Sequence, residues 1–111
     1  MLTEKQLLIL FLIASMPKFR GIYTLVKIFD RVDFPSKMTE NLDSLLNKNL
    51  ICVAEYFDNG TAKSYQVTED GESFISHNFN AMKTIDYIKT MDEPKLLLEI
   101  MQTYVDNKNN S

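Results

Sequence analysis

The stretch YFDNGTAKSYQVTEDG, from Tyr56 to Gly71, narrows the choice of fold more than any other part of this sequence. Its Asn59-Gly60 dipeptide is a strong signal for a tight β-hairpin turn, because both residues tolerate positive φ angles. Thr68 can then cap a helix, and the acidic residues that follow it suit the positive end of a helix dipole. The stretch therefore predicts a hairpin that runs directly into a helix.

A two-residue turn at Asn59-Gly60 sets the expected pairing of the two strands. The expected partners are Tyr56 with Lys63, Ala54 with Tyr65, and Cys52 with Val67. Side chains alternate between the two faces of a strand, so one face of this ribbon is predicted to be apolar and to pack on the helices. That face contains Cys52, Ala54, Tyr65 and Val67, whereas Val53 and Phe57 are expected on the exposed face.

The first helix is predicted from LLILFLIASM, residues 7–16, which is apolar on every side. Thr3 and Gln6 have the spacing of a capping box at its start. The run is shorter than the about 20 residues of a membrane span, and the opposite charges of Glu4 and Lys5 argue against a signal peptide. Two apolar faces of this helix must be buried, and a partner chain could bury one of them.

Helical periodicity continues on both sides of the hairpin. A second helix is predicted after Gly21 and ends before Pro35, and Ser36 is expected to cap a third helix that stops at Asn49. After the hairpin helix, residues 80–105 read as two more helices separated at MDEP, with apolar stripes that we expect a second chain to bury. The polar end DNKNNS is expected to fray.

Composition excludes several classes of function. The 111 residues fit one globular domain, and a net charge of -3 repels polyanions unless the basic residues gather on one face. A single cysteine, Cys52, and a single histidine, His77, provide neither a disulfide nor a zinc set, so we expect a cytoplasmic protein without metal or cofactor. The three glycines leave little scope for a phosphate-binding loop, and we predict that the protein is not an enzyme.

A few single residues invite other interpretations. His77 is expected on a helix surface, and Cys52 is expected to be an inert core thiol. Tyr65 is predicted to be in the core, while Tyr23 and Tyr56 could be buried or could stack on bases.

Three segments together resemble winged helix-turn-helix regulators of the PadR and MarR types. SLLNKNLI, residues 44–51, is similar to the end of a recognition helix and the first wing strand. SYQVTEDGE, residues 64–72, is similar to the second wing strand and the helix after it, and GIYTLVKIF, residues 21–29, is similar to the second helix of PadR-like domains.

The resemblance implies an α+β, mostly α fold. It implies a winged-helix domain over residues 1–77 with a two-stranded wing and C-terminal dimerisation helices over 78–106. The polar composition of residues 107–111 predicts a disordered tail after them. The resemblance also implies a homodimer that binds double-stranded DNA and places one third helix in each of two major-groove half-sites.

Two sets of DNA contacts follow from the resemblance. Contacts to bases are expected from the outward side of the third helix, at Ser36, Lys37, Glu40, Ser44 and Asn47. Contacts to phosphates are expected from Lys18, Arg20, Lys27 and Lys63.

The charge pattern also supports an alternative. Glu40 and Asp43 outnumber Lys37 on the third helix, and Thr61, Ala62 and Lys63 follow the turn where PadR-type wings usually carry arginine and lysine. The alternative is a winged-helix module that binds a protein partner through this acidic face or through exposed Val53 and Phe57. The basic residues around the second helix could equally be an ordinary solvated surface.

Overall fold

The computed structural model describes residues 1–109, which form an α+β fold that is mostly helical. A short 3-10 helix, Pro17–Arg20, follows the first α-helix. The elements are α1 Glu4–Ser15, α2 Ile22–Val32, α3 Met38–Asn47, β1 Ile51–Tyr56, β2 Ala62–Val67, α4 Glu69–Asn78, α5 Ala81–Ile88 and α6 Lys95–Asn109. Strands β1 and β2 form one antiparallel sheet. Within residues 1–109, no helix combines the length and apolar character needed to cross a membrane.

Helix α1 begins at the predicted capping box. The Thr3 hydroxyl accepts a hydrogen bond from the Gln6 backbone N–H at 3.1 Å, and the Gln6 side chain accepts one from the Thr3 N–H at 3.2 Å. Every residue from Leu8 to Ile13 is buried, so α1 runs through the centre of the core. This confirms the helix that the apolar run predicts, with its start at Glu4.

The second apolar face of α1 is covered by the C-terminal part of the same chain. The Phe11 ring stacks on Phe79, with centroids 4.1 Å apart, and meets the edge of Tyr104 at 4.9 Å. Helices α5 and α6 and the connection between them contribute six buried side chains to the same core: Ile85, Ile88, Met91, Leu97, Ile100 and Met101. The expectation that a partner chain is needed to bury these stripes is therefore wrong, because α5 and α6 fold back over α1.

The hairpin turn contains three residues rather than two. The Phe57 carbonyl accepts from the Gly60 N–H at 2.9 Å, and the Phe57 N–H donates to the Thr61 carbonyl at 2.8 Å. Within this turn, Gly60 has a positive φ of 88° and Asn59 does not. This is the geometry of a type I turn followed by a glycine bulge, which replaces the predicted type I′ turn.

The extra turn residue changes the pairing of the strands. The observed partners are Ile51 with Val67, Cys52 with Gln66, and Val53 with Tyr65, followed by an irregularity and then Glu55 with Ser64 and Tyr56 with Ala62. A slip of one residue turns the strand over. Val53 therefore packs against the core beside Tyr65 and Val67, whereas Ala54 is exposed.

The predicted faces are consequently right for β2 and wrong for most of β1. Tyr65 is buried as expected. The Cys52 thiol lies on the outer face, half-buried, and its sulfur accepts from the Gln66 amide at 3.5 Å. Cys52 and Ala54 do not face the core, because the turn places their neighbours there instead.

The connection between α2 and α3 is held by a buried serine. The Ser36 hydroxyl donates to the Asp30 carboxylate at 2.6 Å, and the Ser36 side chain is almost fully buried. Lys37, with a left-handed φ of 52°, is the residue before α3 and makes no side-chain cap. The prediction that Ser36 caps α3 is wrong, because its hydroxyl is bonded to α2.

Other predicted helix boundaries agree with the structure. Asn49 adopts the left-handed conformation, with a φ of 59°, and the Thr68 hydroxyl accepts from the Gly71 N–H at 3.0 Å at the start of α4. Helix α6 continues to Asn109, into the segment 107–111 that was expected to be disordered. The rest of that segment, residues 110–111, lies outside the described residues.

Candidate nucleic-acid interface

Three of the four predicted phosphate-binding side chains line one pocket. Lys18, Arg20 and Lys63 surround a concave space of about 460 Å³ between the 3-10 helix and the outer face of the hairpin. We call this space the basic pocket. Its remaining lining residues are Pro17, Gly21, Ala54, Glu55, Ser64, Tyr65 and Gln66.

Backbone pairing brings these distant residues together. Gly21 forms an isolated antiparallel bridge with Ser64, which joins the start of α2 to the free side of β2. Phe19 is fully buried and anchors the 3-10 helix. The Lys18 ammonium lies 5.4 Å from the centroid of the Phe19 ring, and the Arg20 Nε donates to the Ile13 carbonyl at 3.4 Å. Both residues contact buried parts of the fold and remain exposed overall.

The basic pocket carries local positive charge on an acidic protein. Its charged residues are three cations and one carboxylate, Glu55, which accepts a hydrogen bond from the Ser64 hydroxyl at 2.9 Å. Three positive charges against one negative charge make the pocket cationic, although the whole chain has a net charge of -3. Local gathering of cations is what an acidic protein needs in order to attract a polyanion.

Two neighbouring cations of α2 lie outside the basic pocket. Lys27 is exposed but does not line it. Arg31 forms an ion pair with Glu93, and its Nε lies 3.2 Å from the Glu93 Oε2. The structure therefore groups Lys18 and Arg20 with Lys63 on the hairpin, rather than with Lys27.

The exposed side of α3 carries four of the five predicted base-contacting residues. Lys37, Glu40 and Asn47 are exposed, and half-buried Ser44 accepts from the Lys48 ammonium at 2.9 Å. Ser36 is 2% exposed, so its predicted base contact is wrong. None of the residues of α3 lines the basic pocket.

The charge on α3 is more balanced than the sequence suggests. Lys37 just before α3 and Lys48 just after it carry two positive charges, which balance the negative charges of Glu40 and Asp43. Sequence reasoning missed Lys48, although its spacing of four residues from Ser44 is a usable signal.

Burial, and to a smaller extent the Asp43 carboxylate, raises the pKa of the Tyr65 hydroxyl.

Exposed aromatic rings lie at the hairpin and at the start of α2. Tyr23 is 75% exposed, and its ring centroid is 5.4 Å from that of Phe57 at an interplanar angle of 51°. Tyr56 is also largely exposed. The alternative that Tyr23 and Tyr56 are buried is therefore wrong, and their stacking on bases stays a prediction. The pairing of Tyr23 with Phe57 has no local sequence signal, because it depends on the contact between α2 and the hairpin.

A second, larger groove lies between the end of α2 and helices α5 and α6. It encloses about 1160 Å³ and is mostly apolar, with exposed Met82 and Leu96 among its lining residues. The Arg31 and Glu93 pair lies at this groove, together with Lys89 and Lys95. We call it the C-terminal groove.

Residues with catalytic or metal-binding potential are dispersed. Within residues 1–109, no group of three or more histidine, cysteine or acidic side chains could hold a metal ion. His77 is exposed, and its Nδ1 lies 2.7 Å from the Ser73 carbonyl in the preceding helical turn.

Comparisons of this chain with protein-family models, curated proteins and solved structures find no match.

Proposed function

We propose that this protein is a cytoplasmic DNA-binding regulator of transcription with a winged-helix architecture. In this proposal the hairpin of β1 and β2 is the wing and α3 is the recognition helix. The observation that carries it is the convergence of Lys18, Arg20 and Lys63 at the basic pocket. If α3 lay in the major groove, these cations on the wing and beside α2 would contact the neighbouring duplex backbone in this proposal.

The two surfaces would have different tasks. Lys37, Ser44 and Asn47 offer donors and acceptors to base edges, and Glu40 can accept from the amino group of cytosine. The basic pocket would contact phosphates, which position a protein without reading sequence. Lys27, exposed on α2, would add a peripheral phosphate contact.

A titration with labelled duplex DNA tests this function. At about 50 mM salt, where phosphate contacts are strong, the protein should bind, and affinity should fall steeply as salt is raised. Lys63→Ala should reduce the log–log salt slope by about one. Lys83→Ala, which removes an exposed lysine that lines neither the basic pocket nor the C-terminal groove, is the matched control.

Two results would contradict the proposal. The first is an absence of duplex binding at about 50 mM salt. The second is an equal effect of the Lys63 and Lys83 substitutions on the salt slope, because the basic pocket would then have no special role.

We also propose a homodimer, with the C-terminal groove as its seam. Its support is the mostly apolar lining of the groove, where Met82 and Leu96 are exposed and Leu98 and Val105 are half-buried, because exposed apolar patches often mark protein contacts. Met82→Lys should convert a dimer to a monomer in light scattering at micromolar concentration. A wild-type monomer under those conditions would exclude this arrangement.

The second candidate function is a winged-helix module that binds a protein partner. The acidic residues Glu40 and Asp43 on α3 favour it, because they would meet a phosphate-lined groove at a cost. Val53 no longer belongs to this surface, since it packs on the core. The double charge reversal of Glu40 and Asp43 to Lys separates the two functions. A wild type that fails to bind duplex while this variant binds it would favour the module.

A further inference from the structure

The rings of Tyr23 and Phe57 form a small aromatic surface beside the basic pocket. Tyr23 lies in the first turn of α2, two residues after Gly21, which lines the pocket. Phe57 follows β1, and the two ring centroids are 5.4 Å apart. Tyr23 is 75% exposed and Phe57 is half-buried, so Tyr23 supplies most of the aromatic surface that solvent can reach.

The backbone connects this aromatic surface to the cations. The bridge between Gly21 and Ser64 fixes the start of α2 along β2, and Lys63 is the residue before Ser64. The hairpin therefore contributes to both features: the aromatic pair joins it to the first turn of α2, and the basic pocket joins it to the 3-10 helix just before α2. No residue of α3 takes part in either feature.

We propose that this combined surface binds single-stranded nucleic acid. The phosphates would lie against Lys18, Arg20 and Lys63, and an unpaired base would stack on Tyr23 and Phe57. A positive groove beside exposed aromatic rings is the combination that single-strand binding requires, because every base has a π face. The proposal rests on the phosphate-binding role of the basic pocket in the proposed function, and it adds a ligand that α3 does not contact.

The chemistry of the rings favours an unpaired strand over a duplex. In a duplex the faces of the bases are already stacked on each other, so an exposed ring gains little from them. The Tyr23 and Phe57 rings also lack the paired hydrogen-bonding groups with which Arg, Asn or Gln read a base edge. Binding should therefore show little dependence on base sequence.

The test compares a labelled 12-nucleotide oligo(dT) with a labelled duplex of the same length, by fluorescence anisotropy at about 50 mM salt. Tyr23→Ser should weaken oligo(dT) binding about fivefold or more, and Tyr23→Phe, which keeps the ring, should restore it. Lys63→Ala should lower the single-strand salt slope by about 0.7. Phe34→Ser removes another exposed ring, in the connection between α2 and α3, and should leave oligo(dT) binding unchanged.

The outcomes separate this inference from the proposed function. Unchanged oligo(dT) binding by Tyr23→Ser overturns the inference, and persistent duplex binding by the wild type would leave the proposed function standing. An equal loss for duplex and single strand also overturns it, since the rings would then serve the duplex. Selective loss of oligo(dT) binding supports it, even where the wild type fails to bind duplex and the proposed function fails. A Tyr23→Ser variant with altered oligomeric state and unaltered nucleic-acid binding would assign the rings to a protein contact.

Discussion

Gly71 in α4 lies directly against the backbone carbonyl of Leu50, so closely that a β carbon at this position would overlap the oxygen. The same carbonyl accepts from the Thr68 N–H at 3.1 Å, and the Thr68 hydroxyl donates to the Asn49 carbonyl at 2.6 Å. The spacing of Thr68 and Gly71 thus ties the start of α4 to the junction of α3 and β1. Threonine supplies the cap, and glycine permits the close approach.

Gly71→Ala is expected to destabilise the protein by about 1–3 kcal/mol, since either Leu50 or α4 must move to admit the added methyl group. Urea unfolding followed by circular dichroism measures the change. Gly21→Ala is the control, because a β carbon there meets nothing within 4 Å. Equal midpoints for the two variants would show that the α4 contact is loose.

Phe11 and Phe79 should be energetically coupled, because their rings are stacked with an interplanar angle of 4°. A double-mutant cycle with both residues changed to Ala is expected to give a coupling free energy of about 0.5–1.5 kcal/mol. The same cycle between Phe11 and exposed Phe34 provides the control and should be additive. Additivity for Phe11 and Phe79 as well would mean that the C-terminal helices do not pack on α1 in solution.

Two ion pairs of different exposure are expected to differ in their contribution to the free energy of unfolding. The Lys5 ammonium lies 3.0 Å from the Asp33 carboxylate, and these side chains are 17% and 33% exposed. The Arg31 and Glu93 side chains are 79% and 60% exposed, so water and salt screen that pair. Lys5→Met should cost about 1–3 kcal/mol, whereas Arg31→Met should cost less than about 1 kcal/mol. Chemical denaturation of both variants decides the order, and a larger loss for Arg31→Met would contradict it.

Alkaline pH should destabilise the fold through Tyr87. Burial first, and then the carboxylates of Asp33 and Glu4, raise the pKa of its hydroxyl from 10.0 to about 12. The folded state therefore holds this proton more tightly than the unfolded state does. The associated stability is complete below about pH 10 and is lost as the pH rises to about 12. Urea midpoints measured across this range should fall, and the fall should be smaller for Tyr87→Phe. An identical fall in that variant would exclude Tyr87 as the cause.

Local features of the fold were predictable because their causes are local. Thr3 caps a helix through residues three positions away, and Asn49 ends α3 through its own backbone conformation. The register of the hairpin was not predictable in this way. Asn59-Gly60 suits both a two-residue and a three-residue loop, and the choice between them depends on whether Val53 or Ala54 packs on distant helices.

The candidate site also combines features that local sequence predicts with features that depend on distant contacts. The residue types expected at phosphates include the three cations of the basic pocket, but their convergence depends on the bridge between Gly21 and Ser64. Ser36 was assigned to the outer face of α3 because nothing in its vicinity indicates that the Asp30 carboxylate takes its hydroxyl. The stripes of α5 and α6 correctly indicated burial, but a stripe does not specify which chain covers it.

The central position of α1 has a consequence for synthesis of the protein. Helix α1 has apolar residues on all sides, and the ring of Phe11 contacts those of Phe79 and Tyr104, which lie 68 and 93 residues later in the chain. During translation, α1 leaves the ribosome long before α6 does. Until residues 79 and 104 have both emerged, the nascent chain leaves this aromatic face of α1 without its two ring contacts, and exposed apolar surface of this kind favours aggregation.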